Sequence, residues 1–274
     1  MAITINTNSY ASSIANILNK VTKDLNDTSL RISTGKRILT AADDPAGIAI
    51  ASRLNSDNSS YGVVSKNISS GLSLIDVSAK ALETSTGLID QMKKLAIEAS
   101  SDTLSAEQRT AVQNTFKELQ GQLDSVVNNA TIFGKNLVGT AAASVNIQSG
   151  INAGNTTTVG IAKSDTASLG IDVATIDLTD ITKSAAAITA LDTALTTVGS
   201  NQSILGAMES GFNARITNID KLRENLEAAA ERIEGADIAQ ETKKLALYQT
   251  QQQLAIQTLG IANSFPQAAL QLLR

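Results

Sequence analysis

The 274-residue chain has no cysteine, no histidine and no tryptophan, and its only rings are three tyrosines and four phenylalanines. Lack of histidine removes the commonest general base near neutral pH. Without cysteine as well, the usual zinc ligands and the thiolate nucleophile are missing. No disulfide framework of the kind that staples small secreted domains can form. Large rings anchor most globular cores, so an aromatic content of 3% beside 42% hydrophobic residues points to aliphatic packing of helix on helix. There is no basic excess: the formal net charge of -4 and a pI near 5.0 speak against nucleic-acid binding. No apolar run approaches twenty residues, so no membrane insertion is expected. The start, MAITINTNSYASSIANILNK, has no basic residue before Lys20, so an ordinary secretory signal is not expected and any export takes another route. Neither an enzyme nor a bound cofactor or metal is expected from this composition.

What the chain does have is periodicity. Apolar residues recur in steps of four and three along Ile14, Leu18, Val21, Leu25, Thr28 and Ile32. The same rhythm runs through Ile68, Leu72, Ile75, Ala79, Leu82, Thr86 and Ile89, and again from Val112 through Phe116, Leu119 and Leu123 to Val126. Near the C-terminus Leu247, Leu254, Ile261 and Ala268 repeat every seven. Such seams mark helices packed side by side. Several on segments this long predict a mainly α chain of long antiparallel helices.

The stretch RISTGKRILTAADDPAGIAIA, Arg31 to Ala51, resembles a binding site at first sight. A phosphate-binding loop needs a glycine five residues before the Gly-Lys pair and a Ser or Thr after it; here Arg37 follows Lys36 and no such glycine precedes Gly35. Asp43 and Asp44 are too few for a hard cation, which needs several converging oxygens. The stretch reads instead as punctuation between two helices: Gly35 as a helix stop with Lys36 and Arg37 at the dipole's negative end, a short connector, then Asp44 as N-cap with Pro45 at the first helical position. Gly47 lies in the new helix's first turn, and Gly235 interrupts the returning helical pattern. A helix from Pro45 to about residue 100 would be roughly 80 Å long. Ser105 and Gln108 have capping-box spacing for the next helix.

Between about Asn128 and Thr182 the composition changes, with the hairpin and loop region placed at about residues 140–182. SVNIQSGINAGNTTTVGIAKSD places β-branched residues around a Gly/Asn turn at Asn152–Asn155 and predicts one small hairpin. SLGIDVATIDLTDITKS follows as loop or short strand, and the helical period resumes from Ala185. From Leu245 to Leu273 there is not one charged residue, which is unusual for a surface helix and predicts burial against other chains. One seam per terminal helix is thin compensation for ordering that much chain. Both ends are therefore expected to fold on assembly, leaving the first and last thirty residues open to protease in the free chain.

INTN at Ile5–Asn8, LRISTGKRILTAADDPAGIAIASRL at Leu30–Leu54, FNARITNID at Phe212–Asp220, RIEGADIAQE at Arg232–Glu241 and the ending QQLAIQTLGIANSFPQAALQLLR together resemble the bacterial flagellins. NIQSGINAGNTTTVGIAKSDTASLGI is similar to the hairpin of their inner rod domain. The resemblance implies a subunit of a helical filament. Residues 1–44 plus 234–274 would form a coiled-coil core domain around a narrow channel, and 45–233 a helical rod domain holding the β-hairpin and loop region. The self-assembly core would comprise Ile14, Leu18, Val21, Leu25, Ile32, Leu247, Leu254, Ile261, Leu270, Leu272, Leu273 and Arg274. Gly35, Asp43, Asp44, Pro45, Gly47 and Gly235 would form the connector. The implied partners are many copies of the same chain, the hook-filament junction protein, the filament cap and an export chaperone, with export through the flagellar type III apparatus.

The middle of the chain is short, leaving no room for large outer domains. In the family the patch read by the vertebrate toll-like flagellin receptor carries an arginine and a glutamate beside a leucine. The matching positions here are Gln91, Thr115 and Leu95, which puts recognition by that receptor in doubt. Thr156, Thr157 and Thr158 are candidates for the glycosylation seen in some flagellins. Two other readings stand beside the filament subunit: a hook-filament junction protein, and a soluble helical interaction module.

Overall fold

The computed structural model describes the backbone of residues 8–272 and the side chains of residues 8–264. Among the described residues five helices dominate: α1 (Ser9–Thr34), α2 (Pro45–Ala99), α3 (Ala106–Asn129), α4 (Ile181–Glu234) and α5 (Ile238–Leu272). Four short strands lie between α3 and α4. β1 (Thr131–Ile132) pairs antiparallel with β2 (Lys135–Asn136), and β3 (Val145–Gln148) with β4 (Thr156–Val159). The chain divides into two units, one holding the sequence up to Ser56 together with Asn225 onward, the other Asp57–Glu224; α2 and α4 contribute to both.

Within the larger unit α2 and α4 run antiparallel, with Asn58 bonded to Arg223, Thr86 to Gln202 and Lys93 paired with Asp192. Their core residues keep the coiled-coil rhythm: Ile68, Ile75, Leu82 and Ile89 on α2, Leu191, Val198, Leu205 and Phe212 on α4, all buried. α3 adds Phe116, Leu123 and Val127 from a third side. The capping box at Ser105 and Gln108 is complete, each side chain bonding the other's main-chain N–H. The apolar face of β3 and β4 closes the core through Ile147 and Val159. Gly71 of α2 permits this approach, because a Cβ there would overlap Ile147 Cδ1 and press on Phe212.

Residues 160–180 form an irregular strap, which a buried position makes costly unless its main-chain groups find partners. Some pair with main-chain groups, as Leu169 N does with Asp165 O and Ser164 N with Val138 O, and others find side chains. Gln113 donates to Ile176 O at 3.3 Å and accepts from Leu178 N at 2.7 Å. One heptad on, Gln120 donates to Ile171 O at 2.5 Å, and Asp124 accepts from both the N–H and the hydroxyl of Thr166. Asn201 of α4 donates to Ala162 O and to Ser164 Oγ. α3 thus grips the strap with three polar side chains on its buried edge.

Three details differ from the sequence expectation. There are two hairpins, not one: β1–β2 is only two residues per strand, too short to display alternation. α4 starts at Ile181, ahead of Ala185, because Asp180 caps it by accepting from Thr182 N and Lys183 N. Lys36 and Arg37 do not serve the end of α1. Arg37 donates to Ile233 O at 2.8 Å and Lys36 pairs with Glu234 at 3.0 Å, so both act on the C-terminus of α4, which the connector folds against.

Candidate assembly site: the paired terminal helices and their connector

α1 is punctuated at both ends. The Asn8 side chain accepts from Ala11 N at 3.0 Å as N-cap, and Gly35 ends the helix in the left-handed region at φ 69°. Glycine takes that conformation without Cβ strain. α1 packs antiparallel on α5, with Asn8 Nδ2 donating to Ala262 O at 2.8 Å and Gln252 Nε2 to Thr22 Oγ1 at 3.3 Å. Ile14, Val21 and Thr28 are buried in this contact, and Leu18, Leu25 and Ile32 are half-buried on the same face.

On α5 the face toward α1 is Glu241, Leu245, Tyr248, Gln252, Ala255, Leu259 and Ala262, of which only Glu241, Ala255 and Ala262 are buried. Leu247, Leu254 and Ile261 point the other way and are 52%, 55% and 62% exposed. The every-seven series of large aliphatics therefore marks the outer face of α5, while the inner face is built largely from small and polar residues. Leu270 and Leu272 belong to α5, but their side chains, like Leu273 and Arg274, lie outside the described residues, as does most of INTN. Two buried polar atoms of this pair of helices have no partner in the single chain: Arg31 Nε and Glu241 Oε2.

The connector is held by main-chain bonds. Arg37 N donates to Glu234 O and Ala236 N to Gly35 O at 2.8 Å, making an antiparallel bridge between Lys36 and Gly235. Gly235 is required because a Cβ would overlap Glu231 O. Asp44 caps α2 by accepting from Gly47 N at 2.9 Å, with Pro45 as the first helical residue; Gly47 is buried against Ile38 and Asp44, leaving no room for a side chain. Asp43 gathers the intervening loop, accepting from Thr40 N at 3.0 Å, Leu39 N at 3.1 Å and the Thr40 hydroxyl, and pairing with Arg31 at 3.2 Å. Those bonds, the Thr40 and Leu39 amides first and Arg31 last, hold its carboxyl below the ordinary value of 3.8. The group favours folding when ionised, so its contribution is complete above pH 3.8 and is lost as pH falls through the lowered value. In an NMR titration the Thr40 amide should shift with a midpoint below 3.8; a midpoint at or above 3.8 contradicts the arrangement.

Residues 5–143 match the bacterial flagellin N-terminal helical region, and residues 188–273 match the bacterial flagellin C-terminal helical region. The chain belongs to the bacterial flagellin family. It is 32% identical over 270 residues to flagellin FljO of Caulobacter vibrioides, covering 98% of each chain, and 31% identical over 244 residues to a flagellin of Halalkalibacterium halodurans, covering 89% of this chain and 90% of the other. The crystal structure of Bacillus cereus flagellin shares its fold, with a TM-score of 0.50 at 24% identity over 56% of this chain and 88% of that one. This flagellin is a structural subunit of the flagellar filament, and the extracellular filament is its location. Among its described residues no helix is long and apolar enough to cross a membrane.

The remaining candidate positions of this flagellin lie in the larger unit. Gln91 on α2 and Thr115 on α3 are exposed, while Leu95 is half-buried against the core. Thr156, Thr157 and Thr158 make up most of β4. Thr157 is half-buried and shares a hydrogen bond with the Ser149 hydroxyl, Thr158 donates to Asn146 Oδ1, and Thr156 is exposed.

Proposed function

We propose that residues 1–44 with 234–274 form the inner core layer of the filament and that residues 45–233 form the rod layer around it. The observation that carries this is the outer face of α5. Its inner face is already occupied by α1, yet Leu247, Leu254 and Ile261 stand in water on a segment without a charge from Leu245 to Leu273. An apolar face of that length calls for a cover, and neighbouring copies supply one at fixed geometry. Ile14, Leu18, Val21, Leu25 and Ile32 would then hold α1 to α5 inside each subunit, while Leu247, Leu254 and Ile261 pack between subunits.

Among the described residues the pairing of α1 with α5 buries three side chains from each helix, so it opens readily in the free chain and is secured by polymerisation. Limited digestion with trypsin and chymotrypsin tests this. The free subunit should lose roughly its first and last thirty residues while Asp57–Glu224 survives, and the polymer should resist. Equal resistance of both states overturns the reading.

The partners that fit this role are the hook-filament junction protein, the filament cap and an export chaperone for the C-terminal segment. No catalytic role is proposed: there is no histidine or cysteine, and Asp43 and Asp44 are committed to holding the connector. With Gln91 and Thr115 in place of the family's charged pair, a toll-like receptor reporter assay should respond well below ordinary flagellin potency; a normal response refutes this. Thr156 and Thr158, both exposed, are the first candidates for a glycan.

A further inference from the structure

We propose that Phe133 is a plug that seats in an adjoining copy of this chain within the filament. This rests on the chain's polymerisation and adds a named intersubunit contact in the larger unit. Phe133 sits at the tip of the β1–β2 hairpin and is 75% exposed, whereas Phe116 and Phe212 are buried at 0% and 2%. It also holds φ at 51°, and Gly134 after it at 69°. Consecutive residues in the left-handed region define the tight turn in which Asn-Gly is strongly favoured. A bulky ring in the first of those positions strains the backbone. The ring is therefore unfavourable twice in the isolated chain, by its exposure to water and by its conformation.

The hairpin beneath it is built to hold the tip still. Asn136 Nδ2 donates to Val127 O at 2.7 Å and to Asn128 O, while its Oδ1 accepts from Val138 N and Gly139 N. Asn128 Oδ1 accepts from the N–H and hydroxyl of Thr140. Gly139 closes the base so tightly that a Cβ would overlap Asn128 Oδ1 and Val127 O. Leu137 and Val138 anchor the base in the core. A rigid base under a protruding ring is the arrangement of an interface anchor, which gains affinity because little freedom is lost on docking.

The partner is a second copy because this chain works as a polymer, so each subunit meets identical neighbours at one repeated geometry. Left uncovered, the ring would recur along the whole filament as a series of apolar studs. An aromatic contact also suits subunits that each carry a net charge of -4, since it adds no charge of its own.

The variant Phe133→Asn separates folding from assembly, because Asn suits the turn better than Phe. Its free subunit should melt at the parent's temperature or above, while its critical concentration for polymerisation should rise about tenfold. In parallel, a photoreactive benzoyl-phenylalanine at position 133 should cross-link one copy to another in filaments and not in dilute subunit. An unchanged critical concentration overturns the proposal, as do cross-links confined to the same chain or made to a different protein. Failure of the parent chain itself to polymerise would remove the filament reading and this contact with it.

Discussion

Leu254→Asp is expected to abolish polymerisation while leaving the free subunit folded. Leu254 is 55% exposed and points away from α1, so the aspartate meets water in the single chain. Surface changes of that kind lie within about 0.5 kcal/mol. In the proposed core layer the same side chain is surrounded by aliphatic side chains and by a helix that offers no charge from Leu245 to Leu273. A carboxylate placed there has no partner and costs several kcal/mol per subunit. Each 1.4 kcal/mol raises the critical concentration about tenfold, so a cost near 4 kcal/mol lifts it about a thousandfold. Pelleting and circular dichroism give the two readouts: no sedimenting polymer, and an unaltered helical spectrum. Ala255→Asp is the contrasting variant, since Ala255 is buried against α1 at 8% exposure, and it should disturb the spectrum of the subunit too. Normal filaments from Leu254→Asp would show that the outer face of α5 is not the packing surface.

The second large effect is expected at Gln113. Its amide completes two main-chain groups at once, the carbonyl of Ile176 and the N–H of Leu178, and the side chain is 6% exposed. Met preserves its length and packing but offers neither bond. An orphaned buried donor or acceptor costs about 1–3 kcal/mol, so Gln113→Met should destabilise the subunit by roughly 2–6 kcal/mol. Gln113→Glu keeps the acceptor for Leu178 and should fall between the two. At about 2–4 °C per kcal/mol for a unit of this size, thermal unfolding resolves all three proteins. A melting temperature for Gln113→Met within a degree of the parent would mean that the strap does not depend on this grip.

The long helices were legible because their determinants are local. Gly35, Asp44 with Pro45, and Ser105 with Gln108 each act within one turn of the chain, and the core rhythm of α2, α3 and α4 survives in any context. Less legible were contacts made at a distance. Nothing near Gln113 or Gln120 marks them as partners of residues 171–178, since an amide in a helix reads as a wet surface residue until its partner is known. Lys36 and Arg37 follow α1 and fit its dipole on paper, yet the fold brings the end of α4 to them. The inner face of α5 was hidden for a further reason: Ala255 and Ala262 are weak signals beside Leu247, Leu254 and Ile261. The eye, like the heptad count, goes to the larger residues, which here face outward. The β1–β2 hairpin escaped because its turn carries Phe133-Gly134 instead of the expected Asn-Gly.

The bridge between Lys36 and Gly235 has a mechanical corollary. The two strands of chain leaving α1 and α4 are stitched to each other by backbone amides, so a pull on either one is shared at once by its companion. A rotating propeller subjects its subunits to cyclic twisting, and a clasp of crosswise amide bonds resists sliding as long as Gly235 leaves room for it. The clasp is thus made by the part of the polypeptide that mutation alters least, its backbone.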